Sequence, residues 1–185
     1  PPKILIVGFG SLGSGVGFCL AASGLSCLSV DPDTWSDRNG FNNLCPGEPG
    51  SPKAEIVKTI REAADDAAVA EGGTSLRADI VLTATDSIES RKEAYELLKP
   101  ALGFIDLRTG RDTLTLVQGP PDGAFMIERL PDPEKVEQAS CTERGTMYHT
   151  AALAGLGTAR LLAEIREGKE LKPRFTQYGL ASGQV

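Results

Sequence analysis

Gly8-Phe9-Gly10-Ser11-Leu12-Gly13 sets three glycines in G-x-G-x-x-G spacing, a pattern suited to holding a phosphate. The first glycine allows a tight turn, the second lets the backbone approach an anion, and the third lets the next helix pack on the preceding strand. N–H groups at the start of that helix, with its dipole, then face the negative charge. The spacing carries weight only between a strand and a helix. Here KILIV at Lys3 to Val7 supplies the strand, and the small-residue stretch Ser14 to Ser23 supplies the helix. Asp31 closes the next apolar run, Leu25 to Val30. A carboxylate there can accept hydrogen bonds from ribose hydroxyls; an ordinary loop-opening aspartate is the alternative.

Two further charged residues stand at informative places. Lys53 follows Ser51-Pro52, a helix-start signature with serine as cap and proline in the first turn. The helix dipole disfavours a cation there, and a neighbouring anion would relieve it; a solvated lysine is the alternative. Asp86 follows the apolar run Ile80 to Thr83. Doubly wound sheets place ligands at such strand ends, although an aspartate there is equally suited to capping the next helix.

These residues need a frame. Strand, glycine turn, helix and strand over Lys3 to Val30 read as a first βαβ unit. A polar loop with four prolines follows over residues 32–52, and loops of that length are usually functional. The pattern then predicts a helix from Lys53 to Ala64, a weak strand between Ala67 and Leu76, and a clearer strand at Ile80 to Thr83. A helix from Ser87 to Leu98, stopped by Pro100, comes next. Phe104 to Leu107 and Thr113 to Val117 read as strands joined by a hairpin-like turn at Gly110 to Asp112, which makes the sheet mixed. Residues 118–145, rich in Pro, Asp and Glu, read as a long crossover. The helix from Met147 to Ile165 is so rich in small and apolar residues that it must be buried or form an interface. The expected fold class is α/β: a Rossmann-like, doubly wound, mostly parallel but mixed sheet with helices on both faces, in one domain over residues 1–185.

Bulk properties narrow the function. A net charge of −6 argues against a general nucleic-acid surface. The small apolar stretch Ala151 to Ala163 contains Thr158 and Arg160 and is too short to span a membrane. Cys19, Cys27, Cys45 and Cys141 form no C-x-x-C pair, so neither a zinc knuckle nor a redox dithiol is signalled. Cys19 and Cys27 lie in apolar stretches and read as small core residues. Reduced thiols without a secretory leader point to a cytoplasmic protein. His149 falls within the small-residue helix, a place for packing or a local hydrogen bond.

The glycine turn and Asp31 suit a nicotinamide-dependent oxidoreductase as well as an ATP enzyme. Later segments separate the two. DPDTWSDRNGFNN, Asp31 to Asn43, resembles the D-x-D-x-V-x-x-x-N-L-x-R-Q loop of the ubiquitin-activating type of adenylyltransferase, whose bacterial members include ThiF and MoeB; Asp31, Asp33 and Asn39 match. GEPGSPKAEIVKTI resembles the family's G-x-x-K-A segment, with Lys53 as the lysine. ATDSIESR, Ala84 to Arg91, resembles C-T-D-N-x-x-x-R, with Asp86 as the acidic residue. Cys141-Thr-Glu-Arg-Gly145 and the helix after it resemble the C-x-x-x-G-V stretch. The matches fall in family order and cover most of the chain.

The resemblance implies a Rossmann-like fold, usually dimeric. It implies ATP-dependent adenylation of the C-terminal glycine carboxylate of a small ubiquitin-like or sulfur-carrier protein. Gly8, Gly10, Ser11 and Gly13 would form the phosphate turn, Asp31, Asp33 and Asn39 the nucleoside side, Lys53 would meet the phosphates, and Asp86 would bind Mg²⁺. The family arginine of the loop is replaced by Asn42, with Arg38 as the nearby substitute. Arg91, Arg108 and Arg111 are further candidates for cationic help. The family's N-terminal helix, which carries an arginine into a partner's site, and its paired C-x-x-C zinc motifs have no counterpart in these 185 residues. Cys141 aligns with a position that in some members forms a thioester or mixed disulfide with the carrier; a structural cysteine is the other reading. A non-catalytic scaffold of the same family is a third functional reading beside the adenylyltransferase and the oxidoreductase.

Overall fold

The computed structural model describes residues 1–37, 47–69, 76–110, 113–132 and 146–179. The apolar runs form a six-stranded sheet: β1 (Ile4–Val7), β2 (Leu28–Val30), β3 (Ile80–Thr83), β4 (Gly103–Thr109), β5 (Thr113–Gly119) and β6 (Arg174–Gly179). The strand order is β2-β1-β3-β4-β5-β6. The first four strands are parallel, with Leu5 opposite Leu28, Ile4 opposite Ile80, and Ile80 opposite Gly103. β5 and β6 continue antiparallel, with Leu107 opposite Leu116 and Leu116 opposite Thr176. The sheet is therefore mixed and Rossmann-like, as the sequence predicts.

Strand alternation divides the core into two layers. Ile4, Ile6, Ile80, Leu82, Ile105 and Leu107 face α1 (Ser11–Ala22) and α5 (Thr146–Glu167). Leu5, Val7, Val81, Phe104 and Val117 face the opposite way, towards α2 (Ile60–Val69), α3 (Ile88–Leu97) and α4 (Ala124–Glu128). α5 lies against α1 and across β4 and β5. Gly157 is required there, because a Cβ would run into the Leu107 side chain. Cys19 and Cys27 sit at the margin of this layer, half-buried rather than in its centre. Burial first, then the nearby Glu55 charge, pushes the Cys27 thiol pKa up.

The predicted helix at Lys53 is displaced. Residues 52–56 form a bent, non-helical segment held at both ends instead: Thr34 bridges Pro52, and Ile56 bridges Val30 beside β2. The Ile56 N–H donates to Ser29 O at 3.0 Å, and the Asp31 N–H donates to Ile56 O at 3.1 Å. Pairing with the sheet edge takes the N–H groups a helix would have used. The real start is Thr59-Ile-Arg-Glu62, a capping box: Thr59 Oγ1 accepts from the Glu62 N–H at 3.3 Å, and Glu62 Oε2 accepts from the Thr59 N–H at 2.9 Å. The weak strand expected from Ala67 is helical through Val69. The long crossover contains α4, entered through Gly123 at φ +75°. β6 was not expected, because nearly all its residues are exposed and no period-two apolar pattern marks it.

Thr59→Ala should remove one arm of this capping box and cost about 1 kcal/mol of stability. Urea unfolding at constant m-value is the check; an unchanged midpoint would place the helix start elsewhere.

Candidate nucleotide site

β1 has β2 on one side and β3 on the other. The chain therefore reverses its winding at β1, and the crevice outside the carboxyl ends of β1 and β3 is where such sheets take ligands. The glycine turn closes β1 at this crevice. Gly8 has φ +85°, and a Cβ on it would come within 2.7 Å of Thr85 N and 2.8 Å of Thr85 Cα. The Gly8 N–H donates to Val30 O at 2.9 Å, and the Ala84 N–H donates to Val7 O at 2.8 Å. A Cβ on Gly13 would overlap the Gly8 carbonyl oxygen. Gly10 differs: it is the N-cap of α1, without a side-chain cap, and a Cβ there meets nothing within 4 Å. Two glycines thus serve packing, while the third leaves room at the open helix start that a phosphate could take. Ser11 is the first residue of that helix.

Asp31 joins this turn to the following loop. It is 8% exposed, and its Oδ2 accepts from the Phe9 N–H at 2.7 Å while Oδ1 accepts from the Asp33 N–H at 2.9 Å. An ionised carboxylate has about four acceptor directions, and the described residues use two of them, a count that leaves capacity for hydroxyl donors. Asp33 carries the connection on: its carbonyl accepts from the Lys53 N–H at 3.0 Å, and its carboxylate pairs with Lys53 Nζ at 3.0 Å. Lys53 therefore reaches the site from a bent segment outside any helix, and the helix-dipole argument for it does not hold. Its ammonium has three donors and can meet a phosphate while keeping Asp33. The loop is anchored by Trp35, 5% exposed, whose N–H donates to Ser51 O at 2.8 Å.

Asp86 lies at the carboxyl end of β3 and is exposed. It does not cap α3. That role belongs to Ser87, whose Oγ accepts from the Ser90 N–H at 3.1 Å, which leaves the Asp86 carboxylate available. Among the described residues no group of three or more acidic, His or Cys side chains could cage a metal. A single exposed carboxylate fits Mg²⁺, which is usually held by one or two carboxylates, water and the phosphates of its ligand. The structure thus links the glycine turn (Gly8, Gly10, Ser11, Gly13) through Phe9 to Asp31, Asp33 and Lys53, while Asp86 follows Thr85, whose backbone lies against Gly8. Arg38, Asn39, Asn42, Arg111 and Cys141 lie outside the described residues.

Beneath the site is a cluster that the sequence reading did not assemble. Asp106 is fully buried in β4 and is paired by Arg91 and Arg108. Thr83 Oγ1 donates to Asp106 Oδ1 at 2.7 Å and lies 3.1 Å from the Tyr95 hydroxyl. Arg91 also donates to the carbonyls of Thr85 and Leu107, and Arg108 to that of Arg129 at 2.7 Å. Burial draws the Arg91 guanidinium down to about 10, still protonated at neutral pH; it lowers Arg108 and raises Tyr95. Both arginines are turned into the protein, so neither supplies the cationic help expected of them. The signal was available in Phe-Ile-Asp-Leu: a carboxylate within a buried strand must be paired.

Solved structures share this fold. MccB, the Microcin C7 biosynthetic enzyme, in complex with N-formylated MccA, superposes with a TM-score of 0.64 at 17% identity, over 100% of this chain and 66% of that one. E. coli TcdA, a tRNA N6-threonylcarbamoyladenosine dehydratase, in complex with AMP, gives 0.57 at 16% identity over 90% and 87%. HcgE from Methanothermobacter marburgensis, bound to guanylylpyridinol and ATP, gives 0.54 at 14% identity over 91% and 97%. This chain spans just under two thirds of the length of MccB. No family model and no curated protein matches the sequence.

The glycines separate packing from binding. Gly13→Ala should lower stability by about 1–3 kcal/mol through overpacking. Gly10→Ala should cost less than about 1 kcal/mol as a poorer cap yet weaken ATP binding at least about tenfold, equivalent to ~1.4 kcal/mol. Denaturant unfolding and isothermal titration read the two effects; equal ATP affinity in Gly10→Ala would remove the phosphate from the turn.

Proposed function

We propose that this chain is an ATP-dependent adenylyltransferase of the ThiF/MoeB-like, ubiquitin-activating type. Its substrate is the C-terminal carboxylate of a small ubiquitin-like or sulfur-carrier protein. The observation that carries this reading is the convergence of the glycine turn, Asp31, Asp33 and Lys53, with Asp86 opposite, at the switch point of the sheet. The sequence matches that single out these residues lie far apart in the chain. Neighbours of the same fold bound to AMP and to ATP support a nucleotide, and MccB bound to MccA supports a peptide or small-protein partner.

A terminal carboxylate has a pKa of about 3.5 and is already a nucleophile at neutral pH. One of its oxygens attacks the α-phosphorus of ATP, the bond to the bridging α–β oxygen breaks, and pyrophosphate leaves. No general base is needed. The demand is for charge stabilisation at the α-phosphate and the leaving group. In this reading Asp31 holds the ribose, N–H groups at the start of α1 meet the phosphates, Lys53 neutralises them, and Asp33 orients Lys53. Asp86 would hold Mg²⁺, which would supply further neutralising charge. Arg38 and Asn39 complete the nucleoside side. Cys141 is the residue whose thiolate would take the acyl group as a thioester, with AMP leaving.

Arg91 and Arg108 are committed to Asp106, which favours a second reading: a non-catalytic scaffold of the same type that binds nucleotide and relies on another chain. We place the protein in the cytoplasm. Among the described residues no helix is long and apolar enough to cross a membrane.

α5 also shows an exposed strip of Ala152, Gly155, Leu156, Ala159 and Ala163. A solvent-facing helix surface would normally carry charge, and this strip supports a homodimer. Sedimentation should show a dimer that Ala159→Glu dissociates; a monomeric wild type would reject that interface.

Titration should show binding of ATP with Mg²⁺ and none of NAD⁺; the reverse would mark an oxidoreductase. With a glycine-terminated ubiquitin-like protein, Lys53→Ala and Asp86→Ala should each slow ATP–pyrophosphate exchange by about 100-fold or more. Undiminished exchange in both variants would reject the site, and nucleotide binding without exchange in the wild type would favour the scaffold.

A further inference from the structure

Arg91 is a buried cation that no step of this chemistry uses. It is 6% exposed and projects from α3 towards the ends of β3 and β4. Its guanidinium serves three acceptors at once: the Asp106 carboxylate, the Thr85 carbonyl, and the Leu107 carbonyl at 3.2 Å. Thr85 immediately precedes Asp86, and its backbone is the part of the β3–α3 loop that presses on Gly8. The loop is thus held from one side by the glycine turn and from the other by Arg91. A planar guanidinium presents five donors in a fixed fork, whereas a lysine ammonium is a single point of charge. Asp106 is in turn fixed by Thr83 and Arg108.

We propose that Arg91 is a positioning residue: by gripping the Thr85 carbonyl from the buried Asp106, it sets the Asp86 carboxylate at the distance from the glycine turn that a phosphate-bound divalent cation requires. The inference rests on the nucleotide reading of the site and adds to it a residue that touches neither ligand. Partners one layer behind a metal ligand commonly govern metal affinity in this way.

The test uses the full chain, titrated with ATP over a range of Mg²⁺ concentrations and with AMP in the absence of Mg²⁺. In the wild type, Mg²⁺ should tighten ATP, and Asp86→Ala should abolish that gain. Arg91→Lys should need about tenfold more Mg²⁺ for the same gain, with AMP affinity within about twofold, a difference of ~0.4 kcal/mol. In an Asp86→Ala background, Arg91→Lys should change nothing further. Equal weakening of AMP and ATP, or a lowered Tm with wild-type Mg²⁺ dependence, would make Arg91 structural only and overturn the proposal. Should Arg91→Lys fail to fold, Thr83→Val takes one donor from Asp106 while keeping both charges. A smaller shift in the same direction is expected of it, and none would again overturn the proposal. Mg²⁺-independent ATP binding in the wild type, or a full Mg²⁺ gain in Asp86→Ala, would reject the site reading itself and the proposal with it.

Discussion

Everything at the crevice depends on one backbone-to-backbone contact, Gly8 against Thr85. β1 and β3 are hydrogen-bonded neighbours, so the loops leaving their carboxyl ends compete for the same space. The competition is resolved by deleting a side chain: at Gly8 even one carbon would meet Thr85 N and Cα. Gly13 resolves a second conflict one helical turn later, against the Gly8 carbonyl. Only after these two conflicts are settled is the start of α1 brought to the crevice with Gly10 open above it. The glycine turn is therefore a packing solution first, and the phosphate binding we propose for it would follow from the packing.

The charges under the crevice follow from the same geometry. β4 places Asp106 on the sheet face shared by Phe104 and Val117, in a layer that is otherwise apolar. An ion there must be paired. Removing one partner of such a pair typically costs about 3–5 kcal/mol, whereas replacing the whole set by apolar residues is often neutral. Stability alone therefore does not account for the network. What it provides is direction: Thr83, Tyr95, Arg91 and Arg108 tie β3, α3 and β4 together where the site needs a rigid floor.

Much of this was legible in the sequence for a physical reason. Continuous β-branched runs such as KILIV and a glycine triplet in fixed spacing are local signals, and the structure keeps β1, α1, β3, α3 and α5 near where those signals place them. Lys53 shows where local signals fail. Ser-Pro-Lys has the chemistry of a helix start, but Pro52 and Lys53 are tied to Thr34 and Asp33, and Ile56 bonds beside β2; long-range partners outweigh a local preference. The capping box at Thr59 was the better local signal. β6 left no trace because it is exposed on both faces. The ion cluster joins residues from β3, α3 and β4 and was visible only as a single misplaced-looking Asp106. Of the site residues, the sequence singles out Asp31, Asp33 and Lys53 one by one, but the Asp33–Lys53 ion pair that joins them is a long-range contact without a local signal.

The remaining tension is electrostatic. A chain of net charge −6, with Asp31, Asp33 and Asp86 around the crevice, is a poor receptor for a triphosphate by charge alone. The geometry answers part of this. Asp31 accepts from two backbone N–H groups and Asp33 is paired with Lys53, while among the described residues the exposed Asp86 feels chiefly the buried Arg91. Two of the three carboxylates are thus compensated before a ligand arrives. The third repels phosphate unless a cation lies between them, and at a separation near 4 Å each unit-charge interaction is worth about 4 kcal/mol at an intermediate effective dielectric. On the proposed reading a phosphate and Asp86 would share the crevice through such a cation, and the divalent ion would then be part of the recognition and not an accessory to it.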